Sequence, residues 1–256
     1  MKVNLRIGAL ISGGGTNLQA VIDACENRTV SGQVVFVGSD NPQARGLDRA
    51  QRHGIPSFVV DYGAILEAYR RDPAGASLPS DFDYDALRSA CRLFAEQSDP
   101  QRVRRFLETR AMAEAALIEA MAPYPFDLLI LAGFMRTLSP YFIDRVNGDR
   151  NPPRIMNIHP AILPSFPGVD GYGDTFHYGC KVGGCTVHFI DYGEETGPII
   201  GQRAFAIAPG DSLDTVKKNG LAEEWKLYPH CIELYAQGRL EVVDGERRRV
   251  VAISTP

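Results

Sequence analysis

Ile7-Gly8-Ala9-Leu10-Ile11-Ser12-Gly13-Gly14-Gly15-Thr16-Asn17 is an apolar run that breaks into a glycine loop, and Leu18, Val21, Ile22 and Cys25 follow at helical spacing. A short apolar run closed by glycine reads as a buried strand, and apolar residues three and four apart read as the inner face of a helix. The unit is strand, loop, helix. It recurs with Val34 to Val37, which precedes Ser39-Asp40-Asn41-Pro42 and a helix around Leu47 to Gln51, and again with Phe58-Val59-Val60 after Gly54-Ile55-Pro56. Asp127 to Leu131, closed by Ala132-Gly133-Phe134, and Ile155 to Ile158 are further strands of the same kind. Strands that are apolar throughout and alternate with helices belong to a parallel sheet covered on both faces.

The expected fold class is therefore α/β, a Rossmann-like doubly wound and mostly parallel sheet. Residues 64–122 depart from the pattern, with an Asp/Pro/Ser-containing stretch at Asp72 to Asp83 and two expected helices, Tyr84 to Glu96 and Gln101 to Met121. In the second helix Val103, Phe106 and Leu107 make an apolar stripe among Arg102, Arg104, Arg105 and Arg110, which are expected to form its solvated face. After His159 the chain is expected to run through loops to strands at Cys185 to Ile190 and Pro198 to Ile207, then a long helix from Leu213 to Ala236. Val242-Val243-Asp244-Gly245 with Arg249-Val250-Val251 suggests a terminal hairpin on a D-G turn. The expectation is one domain over residues 1–256, with a helical insertion at about 64–122 and a C-terminal helix plus hairpin.

Composition narrows the function. A chain of 256 residues with a net charge of -4 has no global attraction for nucleic acid or an anionic membrane, so neither is an expected partner. Cys25, Cys91, Cys180, Cys185 and Cys231 are odd in number and form no C-x-x-C pair, which points to free thiols in a reducing compartment. Met1-Lys2-Val3-Asn4-Leu5-Arg6 leads directly into a strand-length apolar run, and no stretch approaches a membrane span. The cytoplasm is the expected location.

Open α/β sheets bind ligands beyond the carboxyl ends of their strands, where strand order reverses. Three strand ends carry suitable residues: Ser12 to Asn17, Gly133 to Arg136, and Asn157-Ile158-His159-Pro160. Side chains two apart in a strand share a face, so Asn157 and His159 form a pair while Ile158 packs behind them. The amide can donate to a developing oxyanion, and the imidazole can move a proton near neutral pH. The plainer alternative is a hydrogen-bonded histidine at a strand end. In the glycine loop Gly15, Thr16 and Asn17 open a helix whose backbone amides suit a phosphate, or else form a tight turn capped by Thr16 or Asn17. The loop matches neither the dinucleotide fingerprint nor the NTPase phosphate loop. His177-x-x-Cys180 and Cys185-x-x-His188 invite a zinc reading, but Cys185 and His188 would lie on opposite faces of one strand. No metal is expected. No G-x-S-x-G elbow is present, and Cys180 and Cys185 have no identifiable activating base.

The stretches ISGGGTNLQ (Ile11 to Gln19), LAGFMRTL (Leu131 to Leu138), MNIHPAILP (Met156 to Pro164) and TVHFIDYGEETGPII (Thr186 to Ile200) occur in the order found in the folate-dependent formyltransferases. The chain resembles that family, most nearly its glycinamide ribonucleotide branch, over nearly its whole length outside residues 64–122. The resemblance implies transfer of a formyl group from 10-formyltetrahydrofolate, as co-substrate, to the amine of glycinamide ribonucleotide, without a metal and with small molecules as the only partners. It implies that Asn157 hydrogen-bonds the formyl oxygen and that His159 stabilises the tetrahedral intermediate. It implies a substrate-phosphate loop at Gly15, Thr16 and Asn17, and a ribose contact at Glu224. The folate is implied to lie along Met135, Arg136, Thr137 and Leu138 and against the loop Ile190 to Glu195, which opens with Ile190 and Asp191.

Three departures qualify the resemblance. Glu195 stands where the family carries a catalytic aspartate, Asp170 stands where many bacterial members have histidine, and residues 64–122 are longer than the usual connection. Four alternatives remain open at this point. A formyltetrahydrofolate deformylase would have the same type of site, and a catalytically impaired folate- or nucleotide-binding module would be consistent with Glu195. A methionyl-tRNA formyltransferase would need a further C-terminal domain, for which the residues after Ala236 are too few. A dinucleotide dehydrogenase fails at the third glycine of its fingerprint.

Overall fold

The computed structural model describes residues 4–255, so Met1, Lys2 and Val3, read above as the lead into the first strand, lie outside the described residues, as does Pro256. Its centre is a seven-stranded sheet of order β3-β2-β1-β4-β5-β6-β7, formed by β1 (Leu5–Ile11), β2 (Gly32–Ser39), β3 (Ser57–Val59), β4 (Leu128–Leu131), β5 (Ile155–His159), β6 (Val182–Phe189) and β7 (Ile199–Ala206). The first five strands are parallel, whereas β6 and β7 pair antiparallel. The sheet is thus mostly parallel, as expected.

Both faces are covered. On one, Ile7, Ala9, Leu128, Ile130, Met156 and Ile158 pack beneath α1 (Thr16–Glu26) and α8 (Leu213–Ala236). On the other, Leu10, Leu129, Leu131 and Ile155 pack with α5 (Pro100–Met121) and α6 (Pro140–Asn147). Every residue of β4 is buried, which is why it reads as an unbroken apolar run. Each such fully buried Leu or Ile contributes about 1.5–3 kcal/mol relative to an exposed one. Tyr228 of α8 is wholly buried, and its hydroxyl donates to the carbonyls of Met156 at 2.9 Å and Leu131 at 3.1 Å, tying the helix to β4 and β5.

Several elements differ from the sequence expectation. α2 (Gly46–Arg52) is present as expected, but α3 (Tyr62–Arg71) occupies a stretch assigned no element; Asp61 caps it by accepting from the amide of Ala64 at 3.0 Å. α4 (Tyr84–Ala90) ends earlier than Glu96, because Cys91 is extended and the amide of Arg92 donates to the carbonyl of Tyr192. α6 starts on a proline after Ser139, and its buried Tyr141, Phe142, Ile143 and Val146 form an apolar face. α7 (Gly171–His177) lies where loops were expected; its Gly-Tyr-Gly start carries little helix propensity, and Asp170 caps it. The terminal hairpin pairs β8 (Leu240–Asp244) with β9 (Arg249–Ile253). Its turn is not a two-residue D-G turn, since Asp244 is already paired with Arg249 and Gly245 donates to the carbonyl of Arg248.

One ionisable side chain of α5 is fully buried. Glu114 is fully inaccessible, and it accepts from the amide of Ser139 at 2.7 Å and meets the Ser139 hydroxyl with its other oxygen. Burial pushes its carboxyl from 4.5 up to about 8 against the opposing pull of Ser139 and Arg110. The folded chain therefore holds a proton that the unfolded chain releases above its ordinary value, so stability falls as pH rises through that window. For one proton the slope cannot exceed about 1.4 kcal/mol per pH unit. We expect the thermal midpoint of the wild type to drop between pH 6 and pH 9 relative to Glu114→Gln, measured by calorimetry. Parallel pH dependences would show that Glu114 is not protonated in the fold.

Candidate functional site

The chain builds β2 and β3 outward on one side of β1 and then places β4 on the other side, so strand order reverses between β1 and β4. The loops that leave their carboxyl ends are held together: the amide of Ser12 donates to the carbonyl of Gly133 at 3.0 Å, and the amide of Met135 donates to the Ser12 hydroxyl at 2.7 Å. A cleft of about 380 Å³ opens there. Asn157, His159 and Glu195 line its middle, Asn17 and Glu224 one end, and Met135 to Leu138 with Ile190 and Asp191 the other. Met135 and Val169 line it while 56% and 78% exposed, which leaves an apolar rim for a ligand to cover.

The centre is an arrangement of one carboxylate, two imidazoles and one amide. Antiparallel pairing sets Asn157 opposite His188 and His159 opposite Thr186. His188, fully buried, meets Glu195 Oε2 through Nε2 at 2.6 Å, and its Nδ1 lies 2.9 Å from the carbonyl of Phe189. His159, 2% exposed, presents Nε2 to the carbonyl of Phe166 at 2.8 Å and Nδ1 to Glu195 Oε1 at 3.6 Å. An Nε2–H that donates to Phe166 leaves Nδ1 as the nitrogen that can exchange a proton with the cleft. Asn157 Nδ2 donates weakly to Glu195 Oε2 at 3.4 Å; His188 Nε2, 3.3 Å away, gives its own proton to Glu195 and accepts none, so the second amide hydrogen remains for a ligand.

Charge follows from this geometry. Burial raises the carboxyl of Glu195, but the two histidines outweigh it and hold the group well below the usual carboxylate range. Burial lowers His159, and the Glu195 carboxylate beside it reverses the sign and leaves it raised above 6.5. The geometry therefore favours an ion pair between Glu195 and His159 inside the cleft. Glu195 reaches both rings from a backbone at φ 54, a left-handed conformation that costs a non-glycine residue on the order of 1–2 kcal/mol. Its loop is braced from several sides. Asp191 accepts from the amide of Gly193 at 3.1 Å and the hydroxyl of Thr196 at 2.6 Å. Gly197 sits so close to the carbonyl of Phe189 that a Cβ would lie 1.6 Å from it, and Arg248 of the hairpin turn donates to the carbonyl of Gly197 at 3.0 Å.

At the other end Glu224, 4% exposed, accepts from Asn17 Nδ2 at 2.6 Å and from the hydroxyl of Tyr172 at 2.5 Å. Burial raises its carboxyl, and those two hydrogen bonds pull the other way. Asn17 Oδ1 is buried with no hydrogen-bond partner among the described residues, an acceptor left for a ligand donor. Asp170 caps α7 and lies 3.5 Å from Lys217 Nζ, which supplies a cation to this end of the cleft.

All the expected site residues except Gly15 and Thr16 line this one cleft. Gly15 packs below it, at φ 67 with its Cα against Gly46, while Thr16 faces a separate hollow beside Arg49. The expected cap at Thr16 or Asn17 is absent: Gly15 holds the cap position of α1 with no side-chain hydrogen bond, and Asn17 bonds Glu224 instead. Sequence reasoning weighed His188 only as a metal ligand, and it did not single out Tyr172, Lys217 or Arg248. Cys185 packs in the core beneath α8, where burial pushes its thiol up to about 12.

Residues 5–232 match the family described as formyl transferase. The phosphoribosylglycinamide formyltransferase of Escherichia coli (strain K12) is 31% identical over 251 residues, which covers 95% of this chain and 95% of that one. The trifunctional purine biosynthetic protein adenosine-3 of Bos taurus is 30% identical over 245 residues. The match covers 96% of this chain but spans only 19% of the bovine protein's length. The crystal structure of glycinamide ribonucleotide transformylase 1 from Symbiobacterium toebii has a TM-score of 0.75 at 36% identity, covering 98% of this chain and 95% of that one.

The glycine loop gives a test of its backbone. Gly15→Ala adds a Cβ 2.9 Å from the Gly46 Cα at a positive φ, so it should destabilise the fold by about 1–3 kcal/mol. Gly13 and Gly14 have open space where a Cβ would go, and their alanine variants should match wild-type stability in urea unfolding. Equal stability of all three variants would remove the constraint assigned to Gly15.

Proposed function

The chain belongs to the formyl transferase family, and on that premise we propose that it transfers the formyl group of 10-formyltetrahydrofolate to the amine of glycinamide ribonucleotide. The observation that carries this reading is the single cleft in which Asn157, His159 and Glu195 stand between a polar end at Asn17 and Glu224 and an apolar end at Met135 to Leu138. The residues fit such a pair of ligands. Leu138, Ile190 and the exposed Met135 give a flat heterocycle apolar surface. Asn17 Oδ1 offers a buried acceptor to a ribose hydroxyl, Lys217 is a cation for a phosphate, and α1 presents an N-terminus that no side chain caps. Gly15 and Thr16 serve the phosphate through that N-terminus.

The formyl donor supplies a carbonyl carbon that becomes tetrahedral, with an oxyanion, on attack by the amine; collapse breaks the bond from that carbon to N10, and tetrahydrofolate leaves with the proton that the attacking amine gives up. Asn157 donates its free amide hydrogen to that oxygen. His159, held as imidazolium by Glu195, adds positive charge beside it and exchanges a proton with the reacting groups through Nδ1. Glu195 fixes that charge state, and His188 fixes Glu195. The hydrolase alternative is not favoured, because relatives that match over 95% of their own length are named as phosphoribosylglycinamide formyltransferases. With five free cysteines and no described helix long and apolar enough to cross a membrane, we assign the protein to the cytoplasm, with small molecules as its partners and residues 64–122 as an insertion in one catalytic domain.

Formyl transfer from 10-formyltetrahydrofolate to glycinamide ribonucleotide, followed by product analysis, tests the reading directly. Formate in place of the formylated ribonucleotide would overturn it in favour of hydrolysis. Asn157→Ala and His159→Ala should each lower kcat by about a hundredfold or more with smaller changes in KM. A near-normal kcat in either variant removes that residue from the reaction.

The pH profile isolates Glu195. His159 is raised by the carboxylate and lowered by burial, so the alkaline limb of kcat lies above 6.5 in the wild type. Glu195→Gln removes the main opposition to burial and should move that limb to lower pH while reducing kcat severely. Glu195→Asp shortens the stem by one methylene and should retract the carboxylate from His188, for an expected loss of about tenfold to a hundredfold. An unmoved alkaline limb in Glu195→Gln would show that Glu195 does not set the charge of His159. An Asp variant much faster than wild type would identify the native chain as an impaired transferase.

A further inference from the structure

α8 carries a glycine in its interior, Gly220, one turn before Glu224. Glycine is the poorest helix former after proline, so its place inside a 24-residue helix calls for a packing reason. Tyr172 of α7 supplies it. A Cβ at Gly220 would stand 2.2 Å from the Tyr172 Cζ, so only a residue without one lets the ring lie across the helix. Residues four apart share a helix face, and the hydroxyl that passes over Gly220 therefore reaches Glu224, whose Oε1 it meets at 2.5 Å. Val216, a further turn back, packs with the ring, and Phe205 of β7 meets it edge-on with centroids 6.3 Å apart. Tyr172 is 6% exposed and Glu224 4%, so water competes little for this bond.

The bond sets what this end of the cleft offers a ligand. Burial and the neighbouring Glu224 carboxylate push the Tyr172 hydroxyl far above its ordinary range, so it keeps its proton and donates. Asn17 donates Nδ2 to the other carboxylate oxygen at 2.6 Å, which turns Oδ1, a buried atom with no partner among the described residues, away from Glu224. Each Glu224 oxygen thus has one donor from the protein and a lone pair to spare. What Asn17 and Glu224 have left to offer is acceptors alone. Buried acceptors penalise a ligand that brings no matching donors, because each would stay unpaired. Two hydroxyls on adjacent carbons are a compact group that brings donors to both side chains at once.

We infer that Tyr172, admitted by Gly220, is a positioning residue that holds Glu224 and Asn17 as an acceptor-only cradle, and that this cradle makes its end of the cleft selective for a vicinal diol. The inference rests on the ribonucleotide reading given above, in which Glu224 meets the ribose. It adds what orients Glu224 and which hydroxyl pattern the site demands. With its hydroxyl engaged on Glu224, Tyr172 acts on the substrate only through that carboxylate. Its effect therefore falls on affinity for glycinamide ribonucleotide rather than on the chemical step.

Calorimetry of glycinamide ribonucleotide and of its 2′-deoxy and 3′-deoxy analogues, without folate, tests the inference in the wild type, Tyr172→Phe and Gly220→Ala. Tyr172→Phe removes one oxygen and leaves a buried carboxylate without one of its two donors, so it should weaken binding of the ribonucleotide about tenfold. Against the analogue that lacks the hydroxyl held by Glu224, the same change should weaken binding less than about twofold, since the group it positions has lost its target. Gly220→Ala should weaken binding at least as much as Tyr172→Phe by driving the ring off Glu224, although alanine favours the helix. In turnover, Tyr172→Phe should raise KM for glycinamide ribonucleotide about tenfold and KM for 10-formyltetrahydrofolate less than about twofold. Ribonucleotide binding within about twofold of wild type in either variant overturns the inference. Equal losses for all three ligands also overturn it, being the mark of a purely structural residue. Wild-type affinity that is the same for the ribonucleotide and both analogues overturns the diol selectivity. A wild type that binds none of the three overturns the ribonucleotide reading and this inference with it, so the two failures are distinct.

Discussion

The reversal of strand order at β1 is the constraint from which the rest follows. With β2 and β3 on one side and β4 on the other, the helices that leave β1 and β4 pass to opposite faces, and their loops part at the strand ends. No close-packed alternative fills that space, because each loop is fixed to its neighbour through Ser12 and Gly133 rather than folded over the opening. Tyr228 extends the constraint to α8. Its hydroxyl grips β4 and β5 together, which places Glu224, one turn earlier on the same helix, at the mouth of the glycine loop.

Within that crevice the protein keeps a charge that burial alone would expel. Glu195 retains its negative charge because two imidazoles face it, and His159 gains a positive one for the same reason. The Glu195 stem reaches both histidines from a backbone that its surroundings fix. The residue takes a left-handed φ, Gly197 lets the loop press against β6, and Arg248 closes it from the hairpin. The shorter of the two contacts is to His188 at 2.6 Å. Glu195 is thus anchored on one ring and tunes the other, an arrangement that fixes a charge state without immobilising the imidazole that moves the proton.

The two ends of the cleft divide the recognition. The hydrogen-bonding groups of Asn17, Tyr172 and Glu224 are buried and partnered, apart from one acceptor. Beyond Thr137 the surface turns basic through the arginines of α3 and α5. The same α5 carries both that basic face and the buried Glu114, so this segment is continuous with the core.

Periodicity determined much of this from sequence alone. Continuous apolar runs before Ser12 and Ala132 announced buried parallel strands, because only a strand covered on both faces is apolar at every position. Alternation in β5 put Asn157 and His159 on one face with Ile158 behind, and Ile158 does lie in the core. What pattern could not convey was pairing. His188 is thirty-one residues from Asn157 in the chain, and only the antiparallel register of β5 and β6 sets them side by side. The short helix α7 was illegible because its glycines carry no helical preference, and its stability comes from the Asp170 cap and from Tyr172 packing against α8. Likewise the arginines of α5 looked like a solvated face, since charge at helical spacing says which side of a helix avoids the core and nothing about what stands opposite. Local sequence thus determined the elements and the chemistry at their ends, whereas long-range packing decided which of those ends face one another, because side-chain distance across a sheet depends on register and not on separation along the chain.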